Sequence, residues 1–195
     1  MTIHRHFLPS IKKVKTETVW LPFSASHKEF YPQDFKLSCI GFVGNCMSPQ
    51  YTERRKAIHY LDGEGLIVYN RGHRGLIRHN YPRFLRLFQS ILCSAEFDSP
   101  FGKLFEIMAS GSLPLIPEFS GKELLFWEDT MIHYKKDCSD IEDKARLILN
   151  DHDMRNEMTK KSYDNFRELH TDDIRIKELY DIIKAKYNDN NIPNR

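Results

Sequence analysis

The feature that most constrains this chain is a rhythm of short apolar runs separated by longer amphipathic stretches. The runs at 38–43, 66–70, 90–94, 113–116 and 131–134 carry little polar alternation, as expected of strands covered by helices on both faces. The intervening stretches 52–61, 82–87, 100–110 and 122–126 have helical spacing. Such alternation predicts an α/β, Rossmann-like parallel sheet of about five strands flanked by helices. After residue 134 the strands stop. A capping box at Ser139 and Glu142 opens a helix with Ile141, Ala145 and Ile148 on one face. Helices at 151–168 and 171–187 complete a C-terminal helical tail. The last of them bears an apolar stripe of Ile176, Leu179, Tyr180, Ile183 and Tyr187. Residues 1–35 read as an entry segment, in which Pro22 breaks the run 19–23 into an edge strand at best. Residues 36–187 read as one domain, and the polar end 188–195 as a disordered tail.

The 195 residues suit a single domain able to bury about 70% of its unfolded surface without disulfides. A net charge of +2 is too small to argue for nucleic acid. Its distribution is uneven. Between Arg54 and Arg86 stand eight lysines and arginines against two acids, an excess that would attract an anionic partner or form a solvated basic face. The four cysteines have no CxxC or metal-ligand spacing, which points to a reducing compartment. The polar opening residues and the lack of an apolar run near 20 residues predict a cytoplasmic location with no transmembrane segment.

The chemistry concentrates between Asp98 and Gly111. Ser99 suits a helix N-cap and Pro100 the first helical position. Phe101, Gly102 and Lys103 would then expose backbone N–H groups in the first turn. The helix dipole and the Lys103 ammonium would favour phosphate there. Glu106, one turn on and flanked by Phe105 and Ile107, is costly to bury unless something binds it, and a carboxylate can hold vicinal ribose hydroxyls. Asp98 lies in the loop after a strand, where open parallel sheets bind ligands. Upstream, Gly41 and Gly44 frame a strand-to-loop turn that phosphate could approach, with Arg54 following. Taken singly, Glu106 reads as a surface acid and Asp98 as a turn former.

A loop acid, Pro100-Phe101-Gly102, an acid eight positions after the first, then Met108-Ala109-Ser110-Gly111 and an apolar strand resemble the signature of retaining GT-B glycosyltransferases. They resemble more closely the spore-coat-type relatives of these enzymes, the "glycosyl transferases group 1" set. The likeness runs from about Trp20 to Ile183 and includes Trp20-Leu21-Pro22-Phe23 and His170. It implies one half of a GT-B fold: the donor-binding half, transferring a sugar from a nucleotide-diphospho-sugar to an acceptor hydroxyl, metal-independent and retaining. By position it implies Asp98 and Lys103 as catalytic-site residues. Phe101, Gly102, Gly44, Arg54 and Glu106 would bind the donor, with Glu106 on the ribose. The sequence departs from the commonest pattern in the Asp at 98 and in a Pro-Phe-Gly one position nearer to Glu106.

The expected partners are the donor, which takes the place of any cofactor, a glycan or other hydroxyl acceptor, and a domain or chain supplying the acceptor half. No metal site is expected; Asp151-His152-Asp153 has the letters of a metal motif but sits where a helix is capped. A nonenzymatic nucleotide-sugar-binding or scaffolding module is the alternative. A dinucleotide enzyme is a weaker one, because no G-x-G-x-x-G follows the first strand.

Overall fold

The computed structural model describes residues 21–46, 48, 51–70, 80–93 and 101–189. Five parallel strands form one sheet: β1 (Leu37–Val43), β2 (Ile67–Asn70), β3 (Phe88–Leu92), β4 (Leu113–Pro117) and β5 (Ile132–Tyr134). Six helices connect and follow them: α1 (Thr52–Gly63), α2 (Asn80–Leu87), α3 (Gly102–Ala109), α4 (Ile141–Asn150), α5 (His152–Leu169) and α6 (Asp172–Asp189). A 3-10 turn, Lys122–Leu124, stands where a helix over 122–126 is expected. The sheet order is β2-β1-β3-β4-β5. The chain therefore winds outward from β1 in both directions, and the connections leaving β1 and β3 diverge to opposite sides. That divergence opens a crevice at the carboxyl ends of β1 and β3. The α/β, Rossmann-like expectation describes this architecture.

Two apolar clusters sandwich the sheet. One gathers Phe88, Ile91, Leu104, Phe105, Ile107, Met108, Ile116 and Phe166 between the sheet, α3 and α5. The other joins Ile40, Phe42, Leu61, Leu92, Leu115, Ile141 and Ile148 against α1 and α4. All five residues of β4 are buried, consistent with the unalternating apolar run.

Several local expectations are corrected. β3 begins at Phe88, two residues before the expected 90, because Phe88 is buried and pairs with Leu37 of β1. The capping box does not form: Asp140 is the N-cap of α4, makes no side-chain cap bond, and accepts instead from the Lys135 amide at 2.8 Å. Asp151 does cap α5, accepting from Met154 N at 2.9 Å. Of the expected edge strand, residues 21–23 are not extended pairing partners; the entry segment instead makes one isolated bridge, Ala25 to Thr171. The helix expected over 171–187 runs to Asp189. Its stripe faces outward: Ile176 and Tyr180 are 64% and 61% exposed.

His170 ties the entry to α6 into the core. Its ring packs against Phe105 and Phe126. Nε2 lies 2.7 Å from the Leu125 carbonyl, and Nδ1 lies 3.1 Å from Arg175 Nη2. Arg175 can only donate, so Nδ1 accepts and Nε2–H donates, the neutral tautomer. Burial, with Arg175 nearby, lowers the His170 pKa to about 4.

Two outcomes follow. At Gly41 a methyl would lie 2.5 Å from a Phe88 ring carbon and 2.7 Å from Ile91 Cδ1; Gly41→Ala should cost about 1–3 kcal/mol by overpacking, read as a lower urea midpoint. For His170 the unfolded chain binds its proton near pH 6.5 and the folded chain near 4, so stability falls as pH drops through that window. His170→Gln should remove that part of the acid sensitivity in denaturation midpoints taken across it.

Candidate functional site

Helix α3 starts at the crevice. Phe101 is its N-cap, in extended conformation and without a side-chain cap bond, so the expected start at Ser99 and Pro100 moves two residues on. Asp98, Ser99 and Pro100 lie outside the described residues. The first-turn amides of Gly102 and Lys103 head the helix at the carboxyl edge of the sheet. At its other end Gly111 adopts φ 62°. Its N–H donates to Met108 O at 3.0 Å and Ser112 N–H to Ile107 O at 3.3 Å. This left-handed closure reverses the chain into β4, and it accounts for the glycine after Met108-Ala109-Ser110. A side chain at Gly111 would also strike Pro32 at 2.8 Å.

Leu104, Phe105, Ile107 and Met108 are completely buried, which fixes the helix against the sheet. Two polar side chains on it reach neighbouring elements. Lys103 Nζ donates a hydrogen bond to the Val43 carbonyl at the end of β1, joining the two strands' exits across the switch point. Glu106 accepts a 2.5 Å hydrogen bond from the Tyr81 hydroxyl on α2. Burial raises the Glu106 pKa, while the Tyr81 bond and Lys103 oppose the rise and Glu29 adds to it. Burial and the Glu106 charge together push the Tyr81 phenol well up, so Tyr81 stays a donor.

Gly44 sits at the centre of the cations. Its φ of 148° is a conformation that side chains rarely adopt. A methyl placed on it would lie 3.6 Å from Lys103 Nζ and 3.9 Å from Arg54 Nη1. Arg54 stacks over Tyr51 at 4.1 Å and donates to the Asn45 carbonyl at 2.5 Å. The Phe42 ring lies beneath both charges, 4.8 Å from Lys103 Nζ and 5.8 Å from the Arg54 guanidinium. The structure thus brings Gly44, Arg54, Phe101, Gly102, Lys103 and Glu106 to one end of the sheet. Two positive charges lie on the β1 side, and one buried carboxylate lies on the α2 side.

Sequence reasoning missed Tyr81, Phe42 and Tyr51. Tyr81 stands 25 residues from Glu106 and nothing in its neighbours signals the contact. Phe42 reads only as a strand residue. Among the described residues no three His, Cys, Asp or Glu side chains group as a metal site, and no helix is long and apolar enough to cross a membrane. All four cysteines are free.

A buried carboxylate with a raised pKa costs stability once it ionises. The folded state holds its proton to higher pH than the unfolded chain, so stability falls as pH rises from the normal glutamate range through the raised value. Glu106→Gln keeps an acceptor for Tyr81 and should raise the melting temperature at neutral pH. The gain should vanish below about pH 4; an equal gain at both pH values would contradict it.

The profile of a family described as glycosyl transferase-like matches residues 33–181. Among solved structures, sucrose-phosphate synthase from Thermosynechococcus elongatus superposes with a TM-score of 0.63 at 18% identity, covering 93% of this chain and 56% of that one. A variant of S. aureus TarM, solved with fondaparinux, α-GlcNAc-glycerol and UDP, gives 0.64 at 13% identity, covering 89% and 41%. The C-terminal domain of a glycosyl transferase group 1 family protein (LpcC) from Francisella tularensis gives 0.54 at 14%, covering 73% and 96%. The chain thus spans about half the length of the first two and aligns with nearly all of an isolated C-terminal domain. Among curated proteins none matches the sequence.

Proposed function

The chain belongs to the glycosyl transferase-like family, and from that premise we propose that it binds a nucleotide-diphospho-sugar and forms the donor half of a glycosyltransferase. The observation that carries the reading is the pairing of opposite needs at one switch point. Glu106, a buried carboxylate held by Tyr81, lies one turn into α3, and the Lys103 and Arg54 charges gather around Gly44 beside the start of that helix. A nucleoside diphosphate has the same polarity, with ribose hydroxyls to donate and a diphosphate to be neutralised.

In this reading Glu106 accepts hydrogen bonds from the ribose. The amides at Phe101, Gly102 and Lys103 with the Lys103 ammonium hold the diphosphate, and Gly44 lets the backbone approach it. Arg54 adds charge from α1. The sugar's anomeric carbon breaks its bond to the diphosphate oxygen, which keeps the electron pair, and bonds to an acceptor hydroxyl whose proton passes to the departing diphosphate. Lys103 and the helix end stabilise the charge that develops on the diphosphate, so the protein itself supplies the electrostatic role. We assign Asp98 to the sugar region, and retention of configuration, on the family likeness alone. The acceptor half comes from a further domain or partner chain, in keeping with the longer chains of sucrose-phosphate synthase and TarM. That the similar TarM was solved with UDP supports a nucleotide as the ligand.

Calorimetric titration with UDP, GDP and ADP tests the reading. One of them should bind, and Glu106→Ala should weaken it by roughly 1.5–3 kcal/mol, the loss of hydrogen bonds to a charged group. If none binds the folded chain, the donor reading is wrong. If one binds and the chain with its acceptor half still transfers no sugar, the nonenzymatic module is the better description.

A further inference from the structure

Helix α2 carries more than Tyr81. Arg83 and Arg86 lie one turn apart on it, beside a depression of about 520 Å³ lined by Tyr31, Gln33, Asn80, Arg83, Phe84, Arg86 and Leu87. Neither arginine has a carboxylate partner among the described residues. Arg86 stacks its guanidinium over the Tyr31 ring at 4.0 Å, and its Nη1 is buried without a hydrogen-bond acceptor among the described residues. Lys36 adds a third cation behind them, its ammonium bound to the Arg86 carbonyl at 2.9 Å.

A buried guanidinium N–H without an acceptor is rare and needs an explanation. Water would satisfy one N–H; an oxyanion would satisfy it and meet the charge of the exposed Arg83 beside it as well. A planar guanidinium fork pre-set by stacking on an aromatic ring is suited to bidentate oxyanions. The stacked Arg86 and the exposed Arg83, with no acid between them, match a dianion better than a single carboxylate. We propose that this depression is a phosphate-binding site, taking phosphate as the free ion or as an ester. Arg86 is its anchor, Arg83 its second cation, and Tyr31 the wall that holds the anchor in place. The site uses the outer face of α2 and none of the residues assigned to the donor, and it does not rest on the donor reading.

The test is an NMR or calorimetric titration of the folded chain with glycerol 3-phosphate, inorganic phosphate and neutral glycerol. Glycerol 3-phosphate should bind saturably, and Arg86→Gln and Arg83→Gln should each weaken it about tenfold or more. Arg86→Lys should restore only part of the loss, since it returns charge without the fork. Lys103→Ala, which strips the crevice site, should leave this binding intact, and Arg86→Gln should leave nucleoside diphosphate binding unchanged. Tighter binding of the ester than of inorganic phosphate identifies an ester ligand; equal binding identifies the free ion. The proposal fails if glycerol binds as well as its phosphate, if no saturation is reached by tens of millimolar, if only Lys103→Ala abolishes binding, or if both arginine variants bind as the parent does. Arg83 is exposed, so Arg83→Gln decides the matter should Arg86→Gln impair folding.

Discussion

Two ladders of parallel hydrogen bonds meet on β1, one to β2 and one to β3, and most of the molecule follows from that junction. Parallel strands cannot be joined by tight turns, so each step outward requires a crossover, and crossovers keep one hand. Starting the sheet in its middle therefore sends the chain to one face after β1 and to the other after β3. The gap between those exits is a consequence of backbone geometry, before any side chain is chosen. Val43, Gly44, Lys103 and Glu106 lie beside it because β1 ends there and α3 begins there. The Lys103 bond to the Val43 carbonyl is the side-chain counterpart of that junction.

The sequence was legible where local physics and burial agreed. Leu113 to Pro117 is buried throughout, and no half-exposed strand would carry such a run. The helical spacing over 100–110 and the apolar run after it were legible, whereas the left-handed turn of Gly111 against Pro32 that joins them is a contact across the fold. The convergence of Gly44, Arg54 and Lys103 could be anticipated because loops at the carboxyl ends of parallel strands share one edge. What could not be read depends on contacts distant in sequence. Tyr81 meets Glu106, 25 residues away, only because α2 lies beside α3.

The outward stripe of α6 is the instructive failure. Periodicity shows that a helix has an apolar side but does not show what covers it. Ile176, Tyr180 and Ile183 remain at the surface, while the helix is fastened at its base. There Ser24 donates to Asp172 at 2.7 Å, and Arg175 binds Glu178, His170 and the Leu169 carbonyl. Its position therefore depends on a few polar contacts around one neutral histidine.

Lys36 shows what one side chain can do in a chain whose cysteines are all free. Its ammonium donates to Arg86 O, Ser110 O and Ser112 Oγ, at 2.9, 3.2 and 3.0 Å. Those partners lie 50, 74 and 76 residues along the chain. In polymer terms it is a three-armed cross-link, joining the start of β1 to the ends of α2 and α3 and to the approach to β4. A disulfide would restrict the unfolded chain as well; this junction exists only in the folded one, so it adds cooperativity without limiting the ensemble from which folding starts. Burial and Arg86 bring its pKa down to about 8. The cross-link thus stays charged at neutral pH and loses its third proton in mildly alkaline solution.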